Sequence, residues 1–144
     1  MSGYSGTPLD RKLGLKAGMR VLFIGLPDHL AGLKAVEGLA EVLTEWPVGT
    51  PGARLDYIHV FETGRGSLET MMPRLLALVA PAGMIWISWP KRASKVPTSI
   101  TEDVLREIFL PTGLVDVKVC AVDETWSGLK FVVRKDLRNT WPET

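Results

Sequence analysis

Arg20-Val21-Leu22-Phe23-Ile24-Gly25 reads as a buried first strand, and the turn that follows it constrains the chain more than any other stretch. Open α/β sheets that hold a phosphate or a cofactor follow such a strand with several glycines, so that backbone can approach the ligand closely. Here the turn is Gly25-Leu26-Pro27-Asp28-His29, with one glycine and a proline that removes an N–H donor. The segment announces an α/β fold and withholds its usual chemistry.

The remaining periodicity extends the pattern. Residues 1–19 read as an entry arm, with Thr7-Pro8 starting a short helix through Leu13 and Lys16-Ala17-Gly18-Met19 turning into the first strand. After that strand, Asp28 is placed to cap a helix carrying Leu30, Leu33 and Val36, with Gly38 as its stop. Leu39–Trp46 is open between helix and a short second strand, and Val42-Leu43-Thr44 favour the strand. Trp46 to Gly52 is a proline-stiffened loop. Leu55–Phe61 is the next strand, and Leu68–Ala80 an amphipathic helix with Ser67 as cap. Pro81-Ala82-Gly83 then leads into the buried strand Met84–Trp89. Thr101 caps a helix with Val104, Leu105, Ile108 and Phe109 on its apolar face. Val115–Val122 and Leu129–Arg134 form a hairpin about Asp123–Gly128. The tail from Lys135 reads as loosely held.

This order implies one α/β domain over residues 1–144: a Rossmann-like, mostly parallel sheet with helices on both faces and a closing antiparallel hairpin. A length of 144 residues supports a core without staples, and 46% hydrophobic residues against 23% charged ones describe a globular chain. A net charge of +1 gives no support to nucleic-acid binding. Cys120 is the single cysteine, set in an apolar alternating run, so it reads as a core thiol. No apolar run approaches the roughly 18 residues of a membrane span, and the first residues lack a secretory pattern, so a cytoplasmic location is expected.

Leu55–Phe61, the helix after it, Pro81-Ala82-Gly83-Met84-Ile85-Trp86-Ile87 and the hairpin together resemble the second half of class I S-adenosylmethionine-dependent methyltransferases. More specifically, Ser2–Leu9, Ser88-Trp89-Pro90-Lys91 and Val119–Leu129 resemble the signature stretches of a short bacterial domain-of-unknown-function family. The resemblance spans nearly the whole chain. It implies a shortened methyltransferase-like fold and brings no activity with it. Against the working enzymes, the glycines after the first strand are missing apart from Gly25. Glu45 stands where the resemblance implies an acidic residue that holds ribose hydroxyls. The Asn/Asp-Pro-Pro motif of amino-group methyltransferases is replaced by Phe61-Glu62-Thr63-Gly64, and the chain is short by about a strand and a helix. S-adenosylmethionine is thus a candidate cofactor only through Gly25 and Glu45.

Ligands of open parallel sheets bind beyond the carboxyl ends of the strands. Four loops gather there: Pro27-Asp28-His29, Glu62–Gly66 with Arg65, Trp89–Lys95 with Lys91, Arg92 and Lys95, and Asp123-Glu124-Thr125-Trp126. Cations beside two tryptophans suit a flat or anionic ligand. Each element also has a bland reading: a solvated loop neutralised by Asp123 and Glu124, and tryptophans that plug the sheet's end. His29 is the one histidine on this rim, and His59 reads as partly buried and hydrogen-bonded. Two distant histidines and one strand cysteine offer no metal-ligand spacing. The expectation is a non-catalytic or cryptic module that binds a small anionic ligand or a protein partner. Its alternatives are a divergent methyltransferase or small-metabolite enzyme, and a structural dimerisation domain joined through the edge strand or the Tyr4–Leu9 arm.

Overall fold

A computed structural model describes residues 8–48 and 54–141. The arm before Pro8, the Gly49–Gly52 portion of the proline-rich loop and the tail beyond Trp141 lie outside the described residues.

Six strands form one sheet in the order β2-β1-β3-β4-β6-β5. They are β1 (Arg20–Ile24), β2 (Glu41–Leu43), β3 (Leu55–Phe61), β4 (Val79–Pro90), β5 (Leu114–Ala121) and β6 (Trp126–Val133). The first four pair in parallel, and β6 runs antiparallel between β4 and β5. Alternation along each strand builds two cores. The cross-strand row Leu22–Ile58–Ile85–Phe131 faces helices α2 (Arg65–Leu78) and α3 (Glu102–Phe109), which bury Leu68, Leu75, Leu105 and Phe109 against it. The next row, Phe23–His59–Trp86–Lys130, faces the opposite side. That side is covered by the short helix α1 (Leu9–Leu13) and by a 3-10 helix over Asp28–Ala35.

Several boundaries differ from the sequence reading, each for a local reason. The segment after β1 is a 3-10 helix with Pro27 in the cap position, so Asp28 caps no α-helix. Its buried residues, Leu30 and Leu33, are spaced i, i+3, which aligns side chains in a helix of three residues per turn. Helix α2 begins at Arg65, and Ser67 is exposed inside it. Its amino end needs no serine cap, because the Arg65 N–H donates to Ser99 Oγ at 2.8 Å and the Glu62 carboxylate accepts from the N–H groups of Thr63 and Gly64. The helix ends at Leu78, since Val79 already pairs with Leu55. Pro8 precedes α1 as its cap residue. The stretch after β6 is held more firmly than its composition suggests: Lys135–Thr140 form a 3-10 helix, and Leu137 and Trp141 pack on the core. Thr101 does cap α3, accepting from the Val104 N–H at 3.1 Å.

The parallel strands end at one rim, and the β5–β6 turn joins it. Pro90 stands opposite Trp126, and the Lys91 N–H donates to the Thr125 carbonyl at 2.7 Å.

Candidate functional site

Gly25 opens the rim with φ +73°, and a Cβ there would sit 2.6 Å from the Phe61 carbonyl oxygen. Its freedom is therefore used for close packing against β3. Beyond it, Pro27 carries no N–H and its carbonyl accepts from Leu30 N–H at 2.9 Å. The residues after β1 do not form a glycine cradle for the methionine half of S-adenosylmethionine. Glu45 lies exposed two residues beyond the end of β2, which runs parallel to β1 and so ends at the same rim as the Gly25 turn.

His29 and Asp123, far apart in sequence, are brought together: His29 Nε2 lies 2.6 Å from Asp123 Oδ2. The other carboxylate oxygen accepts from the N–H groups of Thr125 and Trp126 at 2.8 and 2.7 Å. Burial raises the Asp123 pKa, but the His29 hydrogen bond and the two backbone donors outweigh it and hold the carboxyl below its ordinary value. A fixed carboxylate thus orients an exposed imidazole, an arrangement able to relay a proton. His29 also lines a shallow groove between α1 and the 3-10 helix, with Leu9, Asp10, Leu33 and Val36. Asp28 is exposed beside it and Glu124 is exposed on the hairpin turn.

The remaining rim residues separate. Arg65 turns outward to Glu69 and Glu107, both at 3.0 Å, whose hydrogen bonds raise its pKa, so it does not join the cations of the β4 loop. Trp89 is 7% exposed and packs in the α2/α3 core. Trp126 packs on the other face, edge-on to Phe61 at 5.3 Å between ring centres. The two tryptophans therefore do not line one mouth. Lys91 is half-buried, and Arg92 and Lys95 are exposed. Asp123, held by His29 and the turn, does not neutralise them.

A buried chain lies below the rim that the sequence shows only in part. The Tyr57 hydroxyl lies 2.8 Å from His59 Nδ1, and His59 Nε2 lies 2.7 Å from Ser88 Oγ. All three side chains are inaccessible, so His59 is fully rather than partly buried. Burial pushes the His59 pKa down to about 3 and the Tyr57 pKa well up, with Cys120 adding to the latter. His59 also stacks on Phe61, 4.3 Å between ring centres. Strand alternation places Tyr57 and His59 on one face; Ser88 joins them only through the β3–β4 register.

No family model matches the chain, and no curated protein matches its sequence. Solved structures do. A methyltransferase dependent on S-adenosylmethionine from Aquifex aeolicus is 16% identical, with a TM-score of 0.60 over 85% of this chain and 87% of its own. A putative methyltransferase from Haloferax volcanii, solved in complex with the Trm112 activator, is 10% identical, with a TM-score of 0.61 over 88% and 86%. The magnesium protoporphyrin IX methyltransferase of Synechocystis, solved with S-adenosylmethionine bound, is 13% identical, with a TM-score of 0.59 over 88% and 74%. The fold is that of a class I methyltransferase. At these identities the likeness concerns the fold alone. Among the described residues, no helix is long and apolar enough to cross a membrane.

Proposed function

We propose that the chain is a divergent protein of the S-adenosylmethionine-dependent methyltransferase type, binding an adenosine-containing ligand on the rim formed by β1, β2 and β3. The observation that carries this reading is the sheet order β2-β1-β3-β4-β6-β5, with an antiparallel strand inserted between β4 and β5, on a fold like that of proteins solved with S-adenosylmethionine. The fold likeness favours this reading over the non-catalytic module. Glu45 is the residue assigned to the ribose hydroxyls: an exposed carboxylate past β2 can accept two hydrogen bonds there. The methionine half is left without a backbone cradle, so no methyl-transfer step follows from these residues.

That division makes a distinctive prediction for isothermal titration. S-adenosylmethionine, S-adenosylhomocysteine and methylthioadenosine should bind with affinities within about threefold of one another, because the nucleoside carries the contacts. Glu45→Ala should weaken all three by about tenfold, as expected for losing charge-assisted hydrogen bonds. Absence of binding by all three would overturn the reading; a strong preference for S-adenosylmethionine over methylthioadenosine would overturn the assignment to the nucleoside half.

A further inference from the structure

We propose that the groove between α1 and the 3-10 helix over Asp28–Ala35 binds a small primary amine with an apolar body, its ammonium held between Asp10 and His29. The proposal goes beyond the nucleoside reading and uses none of its residues. Leu9 and Asp10 of α1 form one wall of the groove, and His29, Leu30, Leu33 and Val36 form the other. The three leucines are buried in the core on this face of the sheet, so the apolar floor is already in place without a ligand. The groove offers about 210 Å³, and an apolar cavity of about 150 Å³ takes a benzene ring. One ring with a short arm matches that space.

The polar side chains of the groove select the charge of the ligand. An ionised Asp123 can only accept, so across the 2.6 Å contact His29 Nε2–H donates to Oδ2. The other oxygen is taken by the N–H groups of Thr125 and Trp126, which fixes the carboxylate and the ring that it orients. In the neutral ring this leaves Nδ1 as an acceptor. Asp10, half-buried, adds a carboxylate to the same groove. Arg11 and Lys34, on the same two elements, do not line it. An ammonium has donors for both acceptors and a charge that the Asp10 carboxylate attracts; a carboxylate or phosphate has neither.

Gly32 also lies in the lining, and a Cβ built there meets no atom within 4 Å, so the groove beside it is open space. A larger side chain at this position would occupy the groove without disturbing the core beneath. Asp123 does not touch the amine in this arrangement. It is a positioning residue, which keeps the Nδ1 lone pair of His29 available.

The test is a two-dimensional amide NMR titration with benzylamine at about pH 8, where an alkylamine is charged, with benzoate and benzyl alcohol as matched probes. Benzylamine shifts should saturate in the millimolar range, as expected for a ligand of about eight heavy atoms, and centre on residues 9–10 and 29–36. Benzoate should not saturate, and benzyl alcohol should bind at least about fivefold more weakly. Gly32→Leu should abolish saturable binding, and Asp10→Asn should weaken it about fivefold or more. Asp28→Asn, at an exposed acid outside the lining, should leave it unchanged. The imidazole nitrogen shifts of His29 should report the Nε2–H tautomer in the native chain; in Asp123→Asn the two tautomers should mix, and benzylamine should bind about threefold more weakly. Shifts that do not saturate, benzoate binding as tight as that of benzylamine, binding that survives both Gly32→Leu and Asp10→Asn, or a native Nδ1–H tautomer would overturn the site. None of the probes contains a nucleoside, so the result is independent of the adenosine reading.

Discussion

His59 shows how one residue ties the interior to pH. The alternation of β3 places Tyr57, His59 and Phe61 on one face, and the register with β4 supplies Ser88 as the second hydrogen-bond partner. Burial lowers the histidine's pKa to about 3, so the folded state excludes a proton that the unfolded chain takes up near its ordinary value of 6.5. Stability from this group is present above pH 6.5 and is lost as pH falls towards 3, at about 1.4 kcal/mol per pH unit. Urea unfolding at pH 7.5 and pH 5 should therefore differ by about 2 kcal/mol more in the native chain than in His59→Gln, which has no proton to gain. Equal pH dependence of the two would contradict the neutral, buried histidine. Asp123 acts at lower pH: its depressed pKa makes it lose stabilising contacts only below the ordinary carboxylate range.

At the scale of elements, the three proposed caps separate by what their backbone neighbours need. Thr101 satisfies the Val104 N–H, so Thr101→Ala should destabilise by about 1 kcal/mol, read from the urea midpoint. Ser67→Ala and Asp28→Ala should change it by less than about 0.5 kcal/mol, since both residues are exposed and neither caps an α-helix. A loss at Ser67 equal to that at Thr101 would contradict the observed start of α2. The strands β1 and β3 and the cap of α3 were legible because their signals are local: apolar runs, or a threonine directly before an acidic first turn. The start of α2 was not, because the acceptor for Arg65 N–H is Ser99, 34 residues away. The candidate site divides in the same way. Its loops could be named from the strand order, but which side chains meet depends on register. Trp89 stands opposite Ser127 and Trp126 opposite Pro90, so the tryptophans fall on opposite faces. Likewise His29 finds Asp123 only once the hairpin turn returns to the rim.

Across the described residues, a methyltransferase-like sheet is kept while the turn after β1 packs at Gly25 against β3. Gly25 packs against the Phe61 carbonyl, and the segment that follows is a 3-10 helix with one short face of leucines. The other face retains two full helices over a continuous apolar core. The nucleoside site proposed above accordingly lies beyond the β1 turn, towards Glu45 past the end of β2. In the proposed mode of binding, the rim receives the nucleoside and leaves the amino-acid half of the ligand uncradled. The measurement that tests it most directly is a crystal structure with S-adenosylhomocysteine. Density for the adenosine is expected over the ends of β1, β2 and β3, with the Glu45 carboxylate on the ribose hydroxyls and no hydrogen bond from residues 25–28 to the homocysteine. A homocysteine held by the backbone N–H groups of that turn, or adenosine bound away from Glu45, would contradict it.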